Sequence, residues 1–91
     1  MQEEYIGRVV YSKAGRDKGK ALIIVGSTND QYLLVADGDL RKIESPKKKN
    51  IKHLNFSKLT ADNVTAYFKR GEVPPNHVIR KTLIALLEKE K

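Results

Sequence analysis

Four cationic residues and two glycines stand between two apolar runs near the start of the chain. In the stretch YSKAGRDKGKALIIVG the cations are Lys13, Arg16, Lys18 and Lys20, and the glycines are Gly15 and Gly19. Lysine binds a phosphate as a point charge, and the planar guanidinium of arginine binds it through two parallel hydrogen bonds. Glycine allows positive φ and close approach of the backbone to another group. The pattern therefore predicts a loop that contacts phosphates.

A second group of cations follows between residues 41 and 52. Segments 13–20 and 41–52 have net charges of +3 and +5, whereas the whole chain has +7, so the remaining residues sum to −1. A surface that only confers solubility mixes both signs, so this concentration is typical of a protein that binds a nucleic acid. A pair of solvated loops explains the charge equally well and stays open as the alternative. The residues predicted to contact RNA are Lys13, Gly15, Arg16, Lys18, Lys20, Arg41, Lys47, Lys48, Lys49, Lys52 and His53.

Other kinds of site fit these residues poorly. The stretch GRDKGK departs from the P-loop pattern G-x-x-x-x-G-K-[ST], because three residues separate its glycines and Ala21 replaces the hydroxyl residue. His53 and His77 have no acid clearly placed to orient them, so nucleophilic catalysis is not predicted. The chain has no cysteine, and its two histidines are far apart in sequence. We expect no metal, no cofactor and no enzymatic activity.

Short strands are predicted to position the cations. The predicted strands are residues 5–11, 20–25, 31–36, 39–43 and 51–54. Asp37-Gly38 predicts a type I′ hairpin turn, and the segment ESPKKKN predicts a loop because proline cannot donate to a ladder and adjacent lysines repel one another. Five short strands with tight turns predict a small, strongly curved barrel.

The C-terminal third has the apolar period of helices. Residues 60–71 predict a helix with Thr60 or Asp62 as its N-cap and Gly71 at its end. After the linker EVPPN, Asn76 is the predicted N-cap of a helix that runs to about Glu90. We expect its apolar stripe to cover an open end of the barrel, with docking onto a partner or a second copy as the alternative.

The stretch GRVVYSKAGRDKGKALIIV resembles the KOW motif, in which a loop with a central glycine joins two strands. The hallmark glycine falls on Gly15, and the later stretches YLLVADG and KKKNIKHL look like strands of the single-KOW large-subunit ribosomal proteins of archaea and eukaryotes. The resemblance covers about residues 5–54. It implies an SH3-like barrel that binds ribosomal or other structured RNA through the loop between its first two strands and through neighbouring basic loops.

The overall prediction is a mainly β protein, with an SH3-like five-stranded barrel at residues 1–57 and two helical segments at 58–91. The predicted function is non-catalytic RNA binding in association with the ribosome or translation, with ribosomal proteins as further candidate partners. A barrel that binds an acidic protein is the alternative.

Several finer predictions accompany this one. We expect Asp17 to bond nearby loop backbone, and Tyr11 and Tyr32 to pack in the core rather than stack on bases. The acidic N-terminus and the lack of any apolar stretch near 20 residues predict a cytoplasmic protein. The last helix lacks tryptophan and ends in the charge-balanced EKEK, so no membrane partner is predicted, and the sequence leaves the oligomeric state open.

Overall fold

Five antiparallel strands and two helices make up residues 3–89, which are the residues described by this computed structural model. The strands pair in one sheet of order β4-β3-β2-β1-β5, which confirms a mainly β fold with two C-terminal helices. The elements are β1 (Arg8–Ser12), β2 (Ala21–Ser27), β3 (Tyr32–Ala36), β4 (Lys47–Asn50), β5 (Leu54–Thr60), α1 (Asp62–Lys69) and α2 (Asn76–Lys89), with short 3₁₀ turns at Glu3–Tyr5 and Ile51–His53.

The sheet is curled, because its two edge strands follow each other in the chain. β4 and β5 lie at opposite edges, yet only the turn Ile51–His53 separates Asn50 from Leu54. Four peptide steps reach about 14 Å at most, whereas the outer strands of a flat five-stranded sheet lie about 19 Å apart. Register irregularities between β1 and β5 and between β2 and β3 help the bend. No ladder joins β4 to β5 within residues 3–89, so the predicted closed barrel is not confirmed.

Alternate strand residues face two separate apolar clusters. The sheet curls around one of them, whose first five members have no exposed surface although they all come from strands. The other cluster joins the opposite face of the sheet to α1 and α2, so the apolar side of α2 packs against its own chain. The inner cluster is Val10, Leu22, Ile24, Leu33, Val35 and Leu54, and the outer one is Val9, Ile23, Val25, Ala36, Ala61, Val64, Ile79 and Leu83.

The segment after β3 is a loop, so the prediction of a strand at residues 39–43 is wrong. The side chain of Asp37 accepts hydrogen bonds from the backbone N–H groups of Asp39 and Arg41, each at 2.9 Å, and this folds the segment back on itself. The predicted type I′ turn is also wrong, because positive φ in this region is found at Gly38 alone, at +80°. Gly38 lies so close to the backbone of Asn76 and Arg80 in α2 that a Cβ would collide with it.

The fourth strand is formed by Lys47–Asn50, which had been predicted as a loop. β4 pairs with β3 alone, so its lysines stand at a sheet edge where two of them remain exposed. The prediction of a strand at residues 51–54 is wrong for its first three residues, because the Asn50 side chain accepts from the N–H of Lys52 and caps a 3₁₀ turn. β5 therefore begins at Leu54.

Both predicted helices are present, but their caps differ from the prediction. Ala61 precedes α1 without a side-chain cap bond, so neither Thr60 nor Asp62 is the cap, whereas the helix ends just before Gly71 as predicted. Asn76 is the first residue of α2, and its side chain accepts from the N–H of Ile43 at 2.8 Å. The end predicted near Glu90 lies outside the described residues, which follow α2 to Lys89.

Candidate nucleic-acid interface

The loop between β1 and β2, residues 13–20, is held against the second basic segment by two hydrogen bonds. The backbone N–H of Lys13 donates to the carbonyl oxygen of His53 at 2.8 Å. The ammonium of Lys49 donates to the carbonyl oxygen of Ala14 at 2.9 Å. Because Ala14 is two residues from Arg16, the two basic segments identified in the sequence meet at one place in the fold.

An ion pair holds the same loop to the segment after β3. The Nε and Nη2 atoms of Arg41 donate to Oδ2 of Asp17 at 3.2 and 3.0 Å. The Asp17 side chain is 4% exposed and that of Arg41 is 30% exposed, so the carboxylate depends on this partner far more than the guanidinium does. The sequence predicted that the Asp17 side chain bonds loop backbone. In the structure the partner of this side chain is instead the guanidinium of Arg41.

Bonds within the loop fix its own course. The N–H of Gly19 donates to the carbonyl of Ser12 at 2.8 Å, and the N–H of Lys20 donates to the carbonyl of Asp17 at the same distance. Gly15 and Gly19 have φ of +77° and +85°, which confirms the positive φ expected of them. The loop is therefore closed on itself and hydrogen-bonded to three neighbouring segments.

Most of the predicted cations remain exposed around this junction. We call the exposed cations of the loop, together with Lys47 and Lys52, the basic surface. The imidazole of His53 is exposed next to Lys52. A surface that presents this many cations on a fixed backbone attracts a polyanion. The members of the basic surface are Lys13, Arg16, Lys18, Lys20, Lys47 and Lys52.

Three of the predicted contact residues have other surroundings in the structure. Lys49 is 8% exposed and its ammonium is bonded to the loop. Arg41 is engaged by Asp17. Lys48 projects to the opposite face of β4 from Lys47 and Lys49, and its ammonium lies 4.8 Å from the centroid of the Tyr32 ring. Lys49 and Arg41 are therefore less available to RNA than the basic surface is, whereas Lys48 is exposed on the other face of β4. Contact of these three side chains with RNA stays a prediction.

The segment that follows β3 adds one exposed cation that the prediction left out. Lys42 follows Arg41 directly and is exposed. The nearby carboxyl of Glu44 has a pKa below its usual value, first because Asn76 donates hydrogen bonds to it and also because Lys42 contributes positive charge. The signal for Lys42 was its place within the second basic segment.

The tyrosines of the sheet do not form an open stacking surface. Tyr11 and Tyr32 are half-buried strand residues, and one face of the Tyr32 ring is occupied by the Lys48 ammonium. Tyr5 packs against Phe56 with the ring centroids 5.0 Å apart, at the margin of the inner cluster. Recognition through stacked bases needs aromatic faces open to the ligand, so the basic surface is better suited to a phosphate backbone.

Residues 3–89 contain no group of three or more histidine, cysteine or acidic side chains that could hold a metal ion. Within the same residues, neither helix has the length and apolar character that crossing a membrane requires. His53 and His77 are both exposed. His53 is the last residue of the second 3₁₀ turn, and His77 lies in the first turn of α2.

Comparison with known proteins gives a relative of this chain. No protein-family model matches the chain, so the resemblance to the KOW motif stays a prediction. A curated protein of Bacillus subtilis (strain 168), named "Putative ribosome-binding protein YbzG", is 41% identical to the chain over 51 residues. The matched stretch makes up 56% of this chain and 69% of that protein. The chain therefore belongs to the same family as YbzG.

Proposed function

We propose that this chain is a non-catalytic, ribosome-associated protein that binds the phosphate backbone of structured ribosomal RNA. The observation that carries the proposal is the junction at which Lys49 and His53 hold the cationic β1–β2 loop against the second basic segment. The name of the YbzG relative refers to ribosome binding, which supports the same class of partner. On this proposal the curled sheet is an SH3-like barrel of the KOW type, and the protein works in the cytoplasm.

The basic surface would bind RNA by shape and charge. Arg16 is placed to bind one phosphate through two parallel hydrogen bonds, and the lysines around it would act as point charges along the backbone. Because the loop is already fixed by its hydrogen bonds, binding costs little additional ordering. The half-buried tyrosines argue for helical RNA, whose backbone geometry is recognised without stacking on bases.

Filter binding with protein-free ribosomal RNA tests the proposal. If the six cations of the basic surface each neutralise a phosphate, the affinity should fall about 10³-fold between 50 and 200 mM salt. The double variant Arg16→Glu, Lys18→Glu should bind more weakly and should lower the salt slope by about two. Its melting temperature should stay close to that of the wild type, because both residues are exposed.

The double variant Lys69→Glu, Lys81→Glu is the matched control. It changes the net charge by the same amount at exposed positions of α1 and α2, away from the β1–β2 loop. We expect it to retain nearly wild-type binding. Equal losses of RNA affinity in both double variants would show that binding depends only on net charge. If the Arg16→Glu, Lys18→Glu variant still bound RNA as the wild type does, an acidic protein would be favoured as the partner of the basic surface.

A further inference from the structure

An open apolar groove lies between α2 and the loop that follows β3. Its volume is about 330 Å³. Leu40 and Ile84 stand at its walls with 69% and 50% of their surface exposed, which makes them two of the most exposed large apolar residues in the described part of the chain. Leu83 and Leu87 continue the apolar lining along α2. Neither Leu40 nor Ile84 belongs to the apolar clusters that hold the fold together.

The charges around this groove differ from those of the basic surface. Lys20 and Arg80 are matched by two acids, Asp37 and Asp39. Carboxylates repel a phosphate backbone, and exposed leucine and isoleucine side chains give it nothing to bind. An apolar centre with a rim of both charge signs is instead typical of a surface that binds protein. The groove therefore fits a protein segment better than RNA.

We propose that this groove docks a short segment of a ribosomal protein, one that inserts an apolar side chain between Leu40 and Ile84 and carries charges of both signs beside it. The inference rests on the proposed function and adds a second partner to it. The position of Lys20 supports simultaneous binding of protein and RNA, because Lys20 belongs both to the groove and to the β1–β2 loop. A protein segment in the groove would therefore lie directly beside RNA held by the basic surface, as protein and RNA lie together on a ribosome.

Binding to intact ribosomes and to protein-free ribosomal RNA from the same ribosomes separates the two contacts. The variant Leu40→Asp should bind ribosomes at least about tenfold more weakly, because it places a charge where an apolar side chain would be buried. Its affinity for free RNA should fall far less, because the groove shares only Lys20 with the basic surface. Ile84→Asp, on the other wall, should behave in the same way. Val73→Asp is the matched control, because Val73 is 68% exposed in the linker before α2, outside the groove.

Three results would overturn the docking proposal. Leu40→Asp and Val73→Asp could bind ribosomes equally well. Alternatively, Leu40→Asp could lose as much affinity for free RNA as for ribosomes, which would put RNA in the groove. Sedimentation could also show a dimer that Leu40→Asp dissociates, which would make a second copy the occupant. A protein that binds ribosomes but not free RNA, with ribosome binding still weakened by Leu40→Asp, would refute the RNA contact and support the docking.

Discussion

Replacing Lys49 with methionine should weaken the fold without removing an RNA contact. Lys49 is 8% exposed, and its ammonium donates to the Ala14 carbonyl at 2.9 Å. A hydrogen bond from a charged group contributes about 1.5–3 kcal/mol, and relief from burying the ammonium offsets part of the loss. We therefore expect a loss of about 1.5 kcal/mol in the free energy of unfolding. For a domain of this size that lowers the melting temperature by about 6–12 °C.

Lys47→Met is the matched control for this change. Lys47 precedes Lys49 by two positions on the same face of β4 and is exposed, so both variants lose the same charge from the same strand. Lys47→Met should change the free energy of unfolding by less than about 0.5 kcal/mol. It should also lower the salt slope of RNA binding by about 0.9, whereas Lys49→Met should leave the slope unchanged.

Thermal melts followed by circular dichroism and filter binding between 50 and 200 mM salt measure both quantities. The two variants should give opposite results in the two assays, with Lys49→Met changing stability and Lys47→Met changing salt dependence. If both variants melt together with the wild type, the buried bond from Lys49 to Ala14 does not hold the loop. If Lys49→Met reduces the salt slope as much as Lys47→Met does, Lys49 contacts phosphate and our assignment of its role is wrong.

Two further predictions concern the contacts that fix the neighbouring loop. Arg41→Met should lower the free energy of unfolding by about 2 kcal/mol in chemical denaturation, because it leaves a buried Asp17 carboxylate without its partner. The control Arg70→Met removes an exposed ion pair and should cost less than about 0.5 kcal/mol. Equal costs would contradict the claim that the buried pair stabilises the fold more than the exposed one. Gly38→Ala should lower the free energy of unfolding more than Gly71→Ala does in the same measurement. Both glycines have positive φ, but only at Gly38 would a Cβ collide with helix backbone. Similar losses would show that the contact with α2 can relax.

The sequence predicted the first three strands because their apolar residues alternate or run together between turn signals. β2 and β3 begin and end within two residues of the prediction, whereas β1 begins three residues later because Tyr5 lies in a 3₁₀ turn. β4 was not predictable in this way. It is three lysines and an asparagine, and it becomes a strand because it pairs with β3, a contact between segments that local composition does not reveal.

The candidate site was predictable as a set of cations but not as an arrangement. The excess charge of segments 13–20 and 41–52 could be read directly from the sequence. Which cation is buried could not, because the inward direction of Lys49 follows from the period of a strand that had been predicted as a loop. The pair of Asp17 with Arg41 joins residues 24 positions apart, whereas the sequence predicted only that Asp17 bonds nearby loop backbone.

The buried and paired charges explain how so many cations can be held on one small surface. Lys49 and Arg41 each donate hydrogen bonds to the β1–β2 loop, at Ala14 and Asp17. These bonds fix the backbone from which Arg16 and Lys18 project, so the repulsion among exposed cations does not have to be relieved by movement of the loop. A preformed surface of this kind loses little conformational freedom when it binds.

Titrating the isotope-labelled protein with a helical fragment of ribosomal RNA and following its backbone amides by NMR tests most directly whether the two basic segments act as one surface. Amides of Arg16 and Lys18 in the loop and of Lys47 and Lys52 in the second segment should shift together, with a single dissociation constant, while those of α1 stay in place. Shifts confined to one segment, or different dissociation constants for the two, would contradict a shared RNA surface.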